Sequence, residues 1–211
     1  MILNNYFWYF QSVLSHKICD EIIQTGKNKK KKMGLTEEQV EIIKKNKKLN
    51  KKNIKQLHKT RNSDIVWLND QWIYKAIHPY IHVANKNAGW NYDWDWSESC
   101  QFTTYKKNQF YDWHSDLSGK VYKSPDLNFN GKTRKLSVTC SLSDPNDYEG
   151  GELEFDFRNN KNGKPIIHTC KEILPKGSIV VFPSYLWHRV RPVTKGTRHS
   201  LVIWNLGYPF R

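Results

Sequence analysis

No stretch of this sequence approaches the roughly 18 consecutive apolar residues that a membrane-spanning helix needs, so no membrane span is expected and the chain reads as soluble. Cysteine is scarce. Cys19, Cys100, Cys140 and Cys170 lie far apart and form no C-x-x-C pair, which argues against a structural zinc site and a thioredoxin-like redox motif and favours a reducing, cytoplasmic compartment. Residues 1–10 lack a basic leader, and their apolar character is broken by Asn4 and Asn5, so they do not read as a signal peptide. Acidic residues are also few, 20 against 34 Lys and Arg, for a formal charge of +14.

That imbalance would suggest a nucleic-acid partner if it were spread over the chain. It is not. Residues 27–61 hold fourteen basic residues against three glutamates, a net +11, and the remaining chain carries only +3. This Lys- and Asn-rich segment reads as a solvated insertion, with a polyanion-binding arm as the alternative. Within it Thr36 to Gln39 has the spacing of a capping box, and Val40, Ile43, Ile54 and Leu57 mark short helical pieces. At 211 residues the whole is expected to be one domain, 1–211.

Ser15 is placed to cap a first helix in which Ile18, Cys19, Ile22 and Ile23 recur at helical spacing until Gly26 ends it. Asn69 is placed to cap a second, with Trp72, Ile73, Ala76, Ile77 and Tyr80 on one side and Pro79 as a kink or end. From about residue 90 the pattern changes to alternation between turn-rich breaks. Residues 150–157 put Leu153, Phe155 and Phe157 on one face and three carboxylates on the other. Further strands are expected over 178–182, 187–190 and 198–204. Early helices followed by many short strands predict an α+β fold with a β-sandwich or jelly-roll core over about residues 99–208.

His114 and Asp116 are two residues apart, so on a strand both side chains share a face and form a chelating pair. With a second imidazole they complete one triangular face of an octahedron around a divalent ion, and three positions stay open. His188, between Pro183 and Pro192, is the histidine best placed to supply it. An H-x-D pair is common by chance, so its context matters. Arg198, ten residues beyond His188, is followed by Ser200 and Trp204 at even spacing, hence on one face. An interior guanidinium needs an anion, either an Asp or Glu of the chain or a bound carboxylate; the plainer alternative is a surface arginine.

The pattern resembles the Fe(II)/2-oxoglutarate-dependent dioxygenases, in their prolyl 4-hydroxylase-like branch. The resemblance rests on His114-x-Asp116, distal His188 and Arg198-x-Ser200. It includes the run Arg134-Lys-Leu-Ser137 leading to Leu142 through Pro145, Gly150 through Leu153, and Gln101 through Tyr105. It implies a double-stranded β-helix with flanking N-terminal helices, Fe(II) on His114, Asp116 and His188, and 2-oxoglutarate and O₂ as co-substrates. Arg198 would grip the distal carboxylate of 2-oxoglutarate, Ser200 or Thr139 would add a hydroxyl, and Tyr105 would reach toward it or serve as a core tyrosine. Trp204 would wall the substrate pocket or pack in the core. Asn108 replaces a glycine found in many relatives before the H-x-D. The implied reaction is hydroxylation of a peptide or protein prolyl residue, with release of succinate and CO₂ and with ascorbate keeping the iron ferrous. A small molecule or free amino acid is the alternative acceptor. A nucleic-acid demethylase of this superfamily usually has Asn and Arg where this chain has Thr103 and Trp204, so a nucleic-acid substrate is not expected. A cupin-like binding module without turnover, or a zinc site, fits the open metal face and the anion clamp less well.

Overall fold

The computed structural model describes residues 5–34, 59–117, 119–157 and 165–209. Its elements in chain order are β1 (Trp8–Phe10), α1 (His16–Lys27), β2 (Lys32–Met33), β3 (Arg61–Asn62), β4 (Asp64–Leu68), α2 (Gln71–Asn87), β5 (Trp96–Ser97), β6 (Cys100–Lys106) and β7 (Phe110–His114). They continue as β8 (Thr133–Ser141), β9 (Tyr148–Gly150), β10 (Leu153–Asp156), β11 (Ile167–Thr169), β12 (Ile179–Pro183), β13 (Trp187–Val190) and β14 (Val193–Gly207).

Two antiparallel sheets result. The larger runs β1-β12-β8-β14-β6-β4-β2, with β5 and β9 attached to β14; the smaller runs β11-β10-β13-β7-β3. From β6 onward the chain passes repeatedly from one sheet to the other, which is the winding of a double-stranded β-helix. Alternation along the large sheet explains what its two faces do. Cys100 and Phe102, Leu136 and Val138, Ile179 and Val181, and Leu201 and Ile203 share one apolar core with Cys19 and Ile22 of α1 and Ile73, Ile77, Ile81 and Ala84 of α2. The intervening residues face the smaller sheet. On β12 these are Val180 and Phe182, which pack with Leu153 and Phe155 in a second core; on β6, β8 and β14 they are mostly polar and surround a pocket.

Both helices depart from the sequence pattern at their ends. Ser15 caps α1 as expected, its hydroxyl accepting from the Ile18 amide at 3.3 Å. Gly26, however, lies inside the last turn, and Asn28 is the C-cap. Its role is steric: a Cβ there would stand 2.6 Å from ring atoms of buried Phe102, so glycine lets helix and sheet approach. Asp70, not Asn69, is the N-cap of α2, and it makes no side-chain capping bond. The helix also runs through Pro79, which sits on the exposed side while Ile77, Ile81 and Ala84 anchor the opposite face. Trp72 is correspondingly turned outward.

The carboxylate face of β10 is not turned to water: Glu154 and Asp156 are buried, Glu154 holding Arg189 at 2.7 Å. Asn108 takes up the left-handed backbone (φ 64°) that glycine would favour, a conformation asparagine tolerates, and its amide donates to the Val193 carbonyl at 2.8 Å. The Lys-rich segment is not an insertion along its whole length. Lys32 and Met33 pair with Ile65 and Asp64, the Gly34 amide donates to the Ser63 carbonyl at 2.8 Å, and Arg61 is buried. The expected capping box at 36–39 and the apolar positions Val40, Ile43, Ile54 and Leu57 lie outside the described residues. Among the described residues no helix is long and apolar enough to cross a membrane.

Candidate metal centre

β7 and β13 are antiparallel neighbours in the small sheet, and their register sets His114 directly opposite His188. Asp116 lies two residues beyond the end of β7, where the Leu117 amide donates to the Ser184 carbonyl at 2.9 Å and so ties this turn to the end of β12. The three side chains converge. Each offers one ligand atom, and these atoms all lie within 4.8 Å of one another. The His114 Nε2 is 3.8 Å from Asp116 Oδ1, and His188 Nε2 is 3.6 Å from Asp116 Oδ2.

Each imidazole is oriented by its far nitrogen. His114 Nδ1 is 2.8 Å from the Asp112 carbonyl, and His188 Nδ1 is 2.9 Å from the Leu186 carbonyl. A carbonyl only accepts, so each Nδ1 carries the proton and each Nε2 turns a lone pair to the common centre. Burial, followed by the neighbouring His188, pushes the His114 pKa well below its ordinary value and keeps it neutral. For Asp116 burial acts in the opposite sense, but His188, His114, Arg134 and a Ser137 hydrogen bond outweigh it and hold the carboxyl ionised. Two imidazole nitrogens and one carboxylate suit a divalent ion and leave coordination positions open.

The surroundings fix the carboxylate. Ser137 Oγ donates to Asp116 Oδ2 at 2.7 Å and neighbours Ser184 Oγ at 2.9 Å. Arg134 approaches the Asp116 carbonyl at 3.4 Å while its guanidinium is held by Glu98 at 2.6 and 2.8 Å and covers the Trp204 ring at 4.0 Å. Glu98 also accepts from the Tyr122 hydroxyl at 3.0 Å.

Every site residue expected from the sequence lines the same pocket: the three ligand candidates with Tyr105, Thr139, Arg198, Ser200 and Trp204. Arg198 is 3% exposed, which removes the reading of a surface arginine, and among the described residues no carboxylate pairs with it. Its Nη1 is buried without a hydrogen-bond partner, as is Trp204 Nε1. A buried, unpartnered guanidinium is unfavourable in a closed protein and is what a carboxylate-bearing ligand would satisfy. The Arg198 guanidinium lies 5.5 Å from the Tyr105 ring centre, and burial raises the pKa of the Tyr105 hydroxyl, which therefore remains a neutral donor.

Sequence reasoning missed Arg61, Gln101, Thr103 and Tyr111, which also line this pocket. Gln101 and Thr103 share the parity of Tyr105 on β6, so strand alternation was the signal that could have found them. Tyr111 stacks on His114 with ring centres 3.5 Å apart, and Arg61 covers its other side at 4.3 Å. Arg61 was hidden in the basic run.

Comparison with known proteins agrees with this geometry. The family model described as "2OG-Fe(II) oxygenase superfamily" matches residues 100–205, half of the chain. Among curated proteins, the PKHD-type hydroxylase YbiX of Escherichia coli O157:H7 is 41% identical over 104 residues, and that of strain K12 / DH10B is 40% identical over 104. Those alignments cover 49% of this chain and only 40% of each relative's length. Among solved structures, the viral collagen prolyl hydroxylase of Paramecium Bursaria Chlorella virus-1, in its 2OG complex, has a TM-score of 0.59 at 18% identity and covers 97% of both chains. A Trichoplax adhaerens prolyl hydroxylase, in complex with a hypoxia inducible factor oxygen degradation domain peptide fragment, has a TM-score of 0.60 at 18% identity, covering 96% of this chain and 84% of that one. A Pseudomonas putida prolyl-4-hydroxylase has a TM-score of 0.58 at 17% identity, covering 96% and 92%. These structural likenesses bear on the fold. With the family match spanning the β-helix from β6 to β14, this chain belongs to the 2OG-Fe(II) oxygenase superfamily.

Proposed function

We propose that this chain is an Fe(II)- and 2-oxoglutarate-dependent dioxygenase that hydroxylates a prolyl residue of a peptide or protein. The observation that carries the reading is the pairing, in one pocket, of three converging ligand atoms with the buried, unpartnered Arg198. His114 Nε2, His188 Nε2 and an Asp116 oxygen would hold the iron. Bound iron would supply the oxidation by O₂ that converts 2-oxoglutarate to succinate and CO₂ and places one oxygen atom in a substrate C–H bond.

The chain's own groups do the rest. Arg198 binds the distal carboxylate of 2-oxoglutarate, with Ser200 or Thr139 adding a hydroxyl, and Tyr105 presents a neutral hydroxyl from the neighbouring strand. Trp204, gripped by Arg134, walls the substrate side and offers its free Nε1. The prolyl acceptor draws on the solved neighbours, which are prolyl hydroxylases, one of them holding a peptide. Ascorbate would maintain ferrous iron, residues 1–211 would act as one catalytic unit, and four buried, unbridged cysteines support a reducing cytoplasmic setting.

Anaerobic titration of the pure protein with Fe(II) and 2-oxoglutarate tests the reading. Both are expected to bind, His114→Ala or Asp116→Ala to remove the iron, and Arg198→Ala to raise the 2-oxoglutarate requirement with metal retained. No affinity for 2-oxoglutarate in the wild type sinks the proposal. Mass spectrometry of peptides and metabolites from cells expressing the wild type against His188→Ala, searched for gains of one oxygen, then identifies the acceptor.

A further inference from the structure

The pocket holds a charge that the proposed reaction leaves uncompensated. Its lining contains two guanidiniums, Arg61 and Arg198, and one carboxylate, Asp116. Arg134 touches the site from behind, but Glu98 neutralises it. If the site works as proposed, Arg198 meets one carboxylate of 2-oxoglutarate, while the other carboxylate and Asp116 balance a divalent ion. Arg61 then remains. It is 4% exposed, and among the described residues no Asp or Glu forms an ion pair with it.

Its neighbours orient it without neutralising it. The Arg61 Nε donates to Ser63 Oγ at 3.0 Å, one Nη donates to Gln101 Oε1, and the guanidinium lies over the Tyr111 ring. Three of its five N–H donors have no protein acceptor among these contacts. The backbone closes over its stem at Gly34, where a Cβ would stand 2.6 Å from Arg61 Nε, so the group cannot swing away into solvent on that side. It is rooted in the small sheet, where it pairs with Tyr111, whereas Arg198 stands on the large one. Its acceptor Gln101 pairs with Val202, four residues along the strands from the Tyr105–Arg198 pair, and both guanidiniums bear on the Tyr105 hydroxyl. The end fastened by Arg61 is the one nearer Trp204.

We propose that Arg61 is a specificity-determining residue that receives an anionic group of the substrate, so that the acceptor carries a carboxylate close to the hydroxylated carbon. This rests on the dioxygenase reading and narrows its substrate class to acidic peptides or free acids. The site would discriminate against neutral amides of the same shape, because they leave a buried guanidinium uncompensated.

The test offers the wild-type protein, with Fe(II), 2-oxoglutarate, ascorbate and air, a peptide and metabolite extract of the cells that express it. One half of the extract is native. The other has had its carboxylates converted to methylamides by carbodiimide coupling and the reagents removed. Gains of one oxygen are expected in acidic components of the native half and at least tenfold fewer in the amidated half. For the best acceptor, Arg61→Gln should raise KM at least tenfold with a smaller change in kcat and abolish the preference for acid over amide. Arg61→Lys should recover part of that preference, and thermal melts of both variants report whether they fold. Equal hydroxylation of the amidated half overturns the inference without needing any variant. So does an Arg61→Gln protein whose 2-oxoglutarate binding falls as far as that of Arg198→Gln, since Arg61 would then serve the co-substrate. A wild-type protein that fails to bind 2-oxoglutarate removes the underlying reading and this inference together.

Discussion

Replacing Ser137 with alanine should weaken iron binding although Ser137 touches no metal ligand atom other than an Asp116 oxygen. The side chain is wholly buried on β8. Its single proton goes to the ionised Asp116 Oδ2 at 2.7 Å, so the remaining contact, 2.9 Å to Ser184 Oγ, is one in which Ser184 donates. A hydrogen bond to a charged acceptor contributes about 1.5–3 kcal/mol, and supporting groups of this kind typically change metal affinity by about 10- to 100-fold. Here the effect comes from alignment: without Ser137 the carboxylate of the metal-free protein turns more freely, and the ion must order it on binding. Ser184→Ala, one hydrogen bond further out, should cost less. The assay is anaerobic calorimetric titration with Fe(II), alongside urea unfolding of the same proteins. If Ser137→Ala binds iron within twofold of the wild type while its unfolding free energy falls, the serine only stabilises the fold and the alignment argument fails.

Other consequences can be checked separately. Gly26→Ala would gain roughly 1 kcal/mol of helix propensity but press a methyl against the Phe102 ring, at about 1–3 kcal/mol of overpacking, so the urea midpoint should fall; a rise would mean that α1 moves off the sheet freely. His199 is buried beside Thr104, and burial, then Lys27, Lys31 and Arg198, lower its pKa from 6.5 to about 4. The unfolded chain therefore binds a proton that the folded one refuses between these values. The resulting stability is present above pH 6.5 and lost as pH falls toward 4. A His199→Gln variant should show a flatter unfolding free energy over that window, and an identical slope would refute the assignment. Replacing residues 36–57 with a short Gly-Ser bridge should preserve 2-oxoglutarate binding, because Gly34 and Ser63 are already hydrogen-bonded neighbours. A deletion that also takes Lys32 and Met33 should lower stability by removing β2, and equal stability of the two deletions would show that β2 contributes nothing.

Local period was the legible part of this molecule. Arg198, Ser200 and Trp204 share a face because β14 is extended, and that alternation alone placed them on one wall. Period says less where both faces are buried. On β10 the polar parity, Glu154 and Asp156, is buried, and alternation cannot distinguish a face turned to water from one paired with half-buried Arg189, 35 residues from Glu154. Arg134 and Glu98 are likewise 36 residues apart, and Ser137 and Asp116 are 21 apart; register between strands brings them together, and register is a property of the assembled sheet. Arg61 shows a different limit. A charge run is read as solvated because most lysines stay in water, yet the last residue of this one pairs with Tyr111 in the small sheet and places its guanidinium beside the ring that stacks on His114. Composition averages over a segment, whereas burial is decided residue by residue. The arginine least distinguishable in the sequence is therefore one of two pocket guanidiniums that, among the described residues, pair with no carboxylate.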